Sequence, residues 1–289
     1  MRIRIGPFEI SECWDGVFYK KLSAYPRITE WEIQTVLDFM RYEAAQGRSC
    51  EIEAEADILR AIEARARDHR RGVRTPAPEK IEECVACPTY RGCMTDLVCH
   101  TSPLENAVKI LTCGSLLSPV KARGVPARVL RADARNAAHD PEDYFEHVMF
   151  AWGNCQAGDR LVVERELGRR PEEADLSAGF TPGVRFFFRY ADLIRHPQAA
   201  FDGVLPLKIR DEVVLADWVW AIVAPERFRA AIEGRVSEAL RDRVHFLKND
   251  GLDIWAWSER VYEYAKALRF PARDKIPQEM TGQPPRDPL

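Results

Sequence analysis

Short β-branched and aromatic runs occupy the middle of the chain, at residues 97–100, 144–152, 184–190, 213–215 and 219–223, and each is too short for a core helix. Helical spacing lies around them, in Leu104–Cys113, which ends at Gly114, and over 226–241 and 253–268. Strands and helices in mixed order, without regular βαβ alternation, favour an α+β fold over a doubly wound parallel sheet. Ahead of this region, residues 2–5 alternate as a strand, and Trp31, Ile33, Val36, Leu37 and Met40 repeat with helical spacing. Thr29, with Glu32 three positions later, has the sequence of a helix capping box. A further helix is expected over residues 54–66, so the N-terminal part reads as a small α/β region.

The organisation expected is a strand-plus-helices region over 1–75, a linker and Cys-rich segment over 76–99, a main domain over 100–270 and a Pro-rich tail over 271–289. Thr75-Pro76-Ala77-Pro78 marks the first boundary, because neighbouring prolines exclude helix. With 46% apolar and 30% charged residues the chain is of globular composition. Its 42 basic side chains nearly balance 45 acidic ones, so a nucleic-acid or membrane partner would need a local patch. No apolar run has the length of a membrane span or signal segment, and a cytoplasmic location is expected.

Half of the eight cysteines crowd into residues 84–99, as Cys84-x2-Cys87-x5-Cys93-x5-Cys99 followed by His100. A C-x2-C knuckle lets two sulfurs face one ion, and Pro88 and Gly92 are suited to a tight loop. The expectation is a structural zinc held by Cys84, Cys87, Cys93 and Cys99, or by three of these and His100. An iron–sulfur cluster is the lesser alternative, and the bland alternative is buried reduced thiols.

The segment Cys99-His100-Thr101-Ser102-Pro103-Leu104 through Gly114-Ser115-Leu116-Leu117 places a histidine at the end of a strand. Thr101 or Ser102 then caps a helix whose core face is Leu104, Val108 and Leu111. This block resembles the opening element of ADP-ribosyltransferases, nearest to the DarT-type enzymes that modify DNA bases. The resemblance covers roughly twenty residues. It implies a mixed or antiparallel β core with flanking helices, and it makes NAD a substrate held by His100 and Thr101.

Two later blocks carry the resemblance further. Asp143-Tyr144 through Trp152 is similar to a family strand with an aromatic end, from which Tyr144 or Trp152 would stack on nicotinamide or a base. The turn from Gly153 to Arg160 offers exposed backbone suited to a ligand. Arg210-Asp211-Glu212-Val213 and the strand after it look like the family's late strand pair, which by position makes Glu212 the catalytic carboxylate, with His100 beside it. A carboxylate against a ribose 2′-hydroxyl stabilises the oxocarbenium-like sugar formed when the nicotinamide bond breaks.

Lys121, Arg123, Arg128, Arg131 and Arg135 follow the Gly114 turn as candidate phosphate contacts, Arg123 foremost. Arg185 and Arg189 alternate with Phe186 and Phe188 in a strand read as structural, and Trp255, Trp257, Tyr262 and Tyr264 fit a helix docked on the sheet. The function expected is NAD-dependent ADP-ribosyl transfer to a macromolecular acceptor, with nucleic acid one class. The alternative is a non-enzymatic, metal-stabilised adaptor for a protein or nucleic-acid partner.

Overall fold

The computed structural model describes residues 1–8, 11–14, 16–68, 74–78, 94–133 and 142–270. Cys84, Cys87, Cys93, Arg135 and the tail lie outside the described residues. The N-terminal part begins with β1 (Arg2–Gly6), β2 (Glu12–Trp14) and β3 (Val17–Lys21). Next come α1 (Glu30–Ala45), β4 (Glu51–Glu53) and α2 (Ala56–Asp68). Its sheet has the order β2-β3-β1-β4, with β1 parallel to both neighbours. Both bonds of the expected capping box at Thr29 and Glu32 are present.

Helix α1 is buried on two sides. Ile33, Val36 and Leu37 pack with Ile3, Phe18 and Ile58, while Trp31 joins the core of the main domain. Arg74 strengthens this junction, donating to Asp38 at 2.6 Å and to Tyr190 Oη at 2.8 Å, with its guanidinium 3.7 Å from the Phe201 ring centroid.

The main domain opens with β5 (Leu97–Ser102), α3 (Leu104–Cys113), β6 (Ser115–Leu117), α4 (Pro119–Arg123) and α5 (Ala127–Asp133). A 3-10 turn over Glu142–Glu146 precedes β7 (His147–Trp152), which leads to α6 (Ala157–Leu167). There follow β8 (Val184–Arg189), α7 (Tyr190–Leu193), β9 (Ala199–Ala200), β10 (Leu207–Arg210) and β11 (Glu212–Val214). The last elements are α8 (Leu215–Trp218), β12 (Val219–Pro225), α9 (Arg229–Ile232), β13 (Val244–Leu247) and α10 (Ile254–Ala267).

Seven strands form one sheet in the order β13-β12-β8-β5-β7-β10-β9, with β5 at its centre. Its described pairings are antiparallel except for β12 with β13, so the sheet is mixed and helices cover it, as an α+β fold requires. A two-stranded ribbon of β6 and β11 stands apart. On one face, Val98, Phe150 and Phe186 pack with Ala107 and Leu111 of α3 and with Leu116 and Val213 of the ribbon. On the other face Leu97, Cys99 and Phe187 pack with Val163 of α6 and Trp257 and Val261 of α10. The docked helix expected over 253–268 is therefore α10.

Arg185 fills a gap in this second layer. It is fully buried and paired with the fully buried Asp159, and it donates to Gly153 O at 3.1 Å and Ser258 Oγ at 2.6 Å. Asp159 Oδ1 also accepts from Gly183 N at 2.7 Å. One ion pair thus ties β8, the start of α6, the turn after β7 and α10. Removing one member would strand a buried charge, at a cost of about 3–5 kcal/mol.

Three expectations about local structure require correction. Pro103, and neither Thr101 nor Ser102, occupies the position before α3, and no side chain caps that helix. The span 226–241 is a series of 3-10 and single α turns, because Val236 and Ser237 are extended just after Gly234. The presumed ligand turn from Gly153 becomes helical at Ala157. Gly153 itself is packed closed, since a Cβ there would lie 2.9 Å from the Tyr262 ring and 3.0 Å from Leu97 O.

Candidate functional site

Side chains alternate across a strand, so His100 and Ser102 share one face of β5 and Cys99 and Thr101 the other. His100 is half-buried opposite Phe186, with its ring 6.4 Å from that of Phe150. Its Nδ1 lies 3.1 Å from the Met149 carbonyl and its Nε2 lies 3.1 Å from Ser102 Oγ. A carbonyl only accepts, so Nδ1 carries a proton and donates it. Burial pushes the pKa of His100 down, which leaves the ring neutral. Nε2 is then an acceptor for the Ser102 hydroxyl, whose remaining lone pairs are all it can offer a ligand.

Thr101 is not on this face. It wedges between the start of α6 and the residue before β8: a Cβ on Gly158 would meet its Oγ1 at 2.4 Å, and one on Gly183 its Cγ2 at 2.7 Å. The hydroxyl that accompanies His100 is therefore Ser102, and the period-2 pattern of the strand was the available signal for it.

Glu212 belongs to the ribbon, whose inner residues Leu116 and Val213 pack on the sheet face that carries His100. Antiparallel pairing puts the end of β5, the start of β7 and the end of β10 at one edge of the sheet, with Arg210 opposite His147. Asp211 then takes a left-handed backbone, φ 63°, and turns the chain from β10 into β11. Two strand spacings, roughly 10 Å, separate β5 from β10. Val213 and Leu116 face the core beneath the ribbon, so Glu212 faces its outer side. There it is ion-paired with Lys121 of α4 and accepts from Ser115. The Lys121 bond, then Ser115, hold its pKa below the ordinary carboxylate value, so the group is ionised at neutral pH.

Among the described residues no hydrogen bond or ion pair joins Glu212 to His100, and the other candidates lie elsewhere. Tyr144 is buried on the opposite face of the sheet, with Lys208 Nζ 3.7 Å from its ring centroid and Tyr42 against its edge. Trp152 ends β7 roughly 16 Å from the strand's start, where it packs with Trp31 and Tyr190. Arg123 is exposed at the end of α4, two residues beyond Lys121.

Cys99 lies in the core, its Sγ 3.6 Å from Trp152 O, and burial pushes its thiol up to about 12. A zinc ligand must be a thiolate, and the other three cysteines of the expected set lie outside the described residues. Among the described residues no group of three or more His, Cys, Asp and Glu side chains is placed to hold a metal ion. No helix among them is long and apolar enough to cross a membrane. Compared with protein-family models, with curated proteins and with solved structures, the chain finds no match.

Proposed function

We propose that the chain is an NAD-dependent ADP-ribosyltransferase acting on a macromolecular acceptor, with nucleic acid one such class. The observation that supports this reading is an ionised carboxylate, Glu212, held by Lys121 and Ser115 on a ribbon whose inner residues pack on the sheet, together with the His100–Ser102 pair in the sheet's central strand. The resemblance of residues 99–118 and 209–225 to that enzyme class supports it.

In this reading Glu212 accepts a hydrogen bond from the 2′-hydroxyl of the nicotinamide ribose. As the bond between C1′ and the nicotinamide nitrogen breaks, its electron pair leaves with nicotinamide, and the sugar acquires oxocarbenium character that the carboxylate offsets. A nucleophilic oxygen or nitrogen of the acceptor then bonds to C1′ and loses its proton to Glu212 or to solvent. With water as nucleophile the products are ADP-ribose, nicotinamide and a proton. The Ser102 hydroxyl, already committed as a donor to His100, is left to accept from the carboxamide. No step runs through a metal.

The test is release of nicotinamide from NAD by the purified chain, alone and with DNA, RNA or protein acceptors. Glu212→Gln is expected to lose the activity with its circular dichroism unchanged. A wild-type protein that neither binds NAD nor releases nicotinamide under any of these conditions overturns the reading in favour of an adaptor.

A further inference from the structure

Lys121 and Glu212 meet because the backbone around them is built to bring them together. Ser118 N donates to Asp211 O at 2.7 Å, tying the residue after β6 to the residue before β11. Ser118 is fully buried, and its Oγ accepts from Lys121 N at 3.3 Å, starting α4. The pairing of Glu212 with Leu117 fixes the ribbon register, so Ser115, on the same face, reaches the same carboxylate. Each partner of the ion pair is thus within three residues of one buried hydrogen bond.

We infer that Lys121 is a positioning residue for Glu212, holding its carboxylate ionised and aimed before a sugar arrives. The inference rests on the reading of Glu212 as the sugar-activating group. Stability gives little reason for the pair: the Lys121 side chain is 46% exposed and that of Glu212 32%, and pairs so exposed contribute little to folding. For a catalytic carboxylate the consequence is larger. An unheld glutamate spreads over several rotamers and takes up a proton at higher pH, and both reduce the fraction able to accept from a 2′-hydroxyl.

The elements packed on β11 offer few competitors for this role. Strand β6 contributes the neutral Ser115, α8 carries Asp217, and β7 carries His147, whose Nδ1 is 2.7 Å from Asp143 O. Asp211, next in the chain, is an acid that joins Glu212 in raising the pKa of Lys121. Arg210, the nearest cation along the chain, is paired with Glu146 at 2.7 Å.

The test compares wild type, Lys121→Met and Lys121→Arg by two readouts. The first is the NMR titration of the Glu212 carboxyl carbon, assigned with Glu212→Gln, which requires no activity. The second is nicotinamide release against pH. In Lys121→Met the titration midpoint is expected to rise by about half a pH unit or more. The acid limb of kcat moves with it, KM for NAD stays within about twofold, and Lys121→Arg restores both. An unmoved titration in Lys121→Met overturns the positioning role. A tenfold or greater rise in KM with an unmoved titration also overturns it and makes Lys121 a contact to NAD. If wild type releases no nicotinamide, the transferase reading and the role within it fall together, and a titration that still moves shows that the failure lies with the reaction and not with the pair.

Discussion

Ser102 Oγ lies 3.1 Å from Nε2 of His100, and the hydroxyl is the donor, because the ring's one N–H is on Nδ1, where it donates to the Met149 carbonyl. Thr101, between them in sequence, belongs to a different layer of the molecule. Two adjacent hydroxyl residues therefore have separable roles.

Ser102→Ala removes the donor that fixes the histidine ring. Loss of a hydrogen bond of about 1 kcal/mol corresponds to a drop in nicotinamide release of roughly fivefold, with little change in Tm. Thr101→Val keeps the β-branched shape that packs on α6 and removes a hydroxyl lying on the face away from His100, so turnover is expected to stay within about twofold. Equal losses from both substitutions would contradict the assignment of the two faces.

The wedge at Thr101 makes a prediction about glycine. Gly158→Ala would put a methyl 2.4 Å from Thr101 Oγ1 and 2.5 Å from its Cβ, and overpacking of this kind costs about 1–3 kcal/mol. At Gly234 nothing lies within 4 Å of an added Cβ, and Ala there is expected to be neutral or slightly stabilising, by about 0.4–1 kcal/mol. Urea unfolding of the two variants should move in these different senses.

Cysteine chemistry offers an independent check of the core. Cys99 and Cys155 are buried and their thiols are pushed up by that burial, whereas Cys113 is exposed. Iodoacetamide at pH 8 should label Cys113 in the native protein and reach Cys99 and Cys155 only after unfolding. Peptide mass mapping reads this directly, and rapid native labelling of Cys99 would count against the packing of β5 on α6.

Stability should fall with mild acid. Burial lowers the pKa of His100, His147, His196 and His245 below the ordinary 6.5. As pH drops below 6.5 the unfolded chain takes up protons that the folded chain still refuses, so their contribution is present above that pH and is lost as pH falls through the folded-state values. Thermal unfolding at pH 7.5, 6.5 and 5.5 should give a descending Tm. A flat series would mean that these rings are solvated in the folded protein.

Much of the local structure was legible along the chain. Thr29 and Glu32 announced α1, Gly114 ended α3 in the left-handed conformation at φ 76°, and the short β-rich run 97–100 placed His100 in a strand, which continues to Ser102. Helix α6 was not legible, because Leu161 and Leu167 are exposed and its buried positions include the charged Asp159, which only Arg185 of a distant strand explains.

The sequence by itself determined most strands, helix α1, the end of α3 and the presence of a histidine in a strand, since capping, turn chemistry and residue periodicity act over a few positions. Which cation holds Glu212 across 91 positions and which layer receives each face of the sheet were decided only in three dimensions. Burying two faces against different helices ranks alternatives that a local pattern leaves equal.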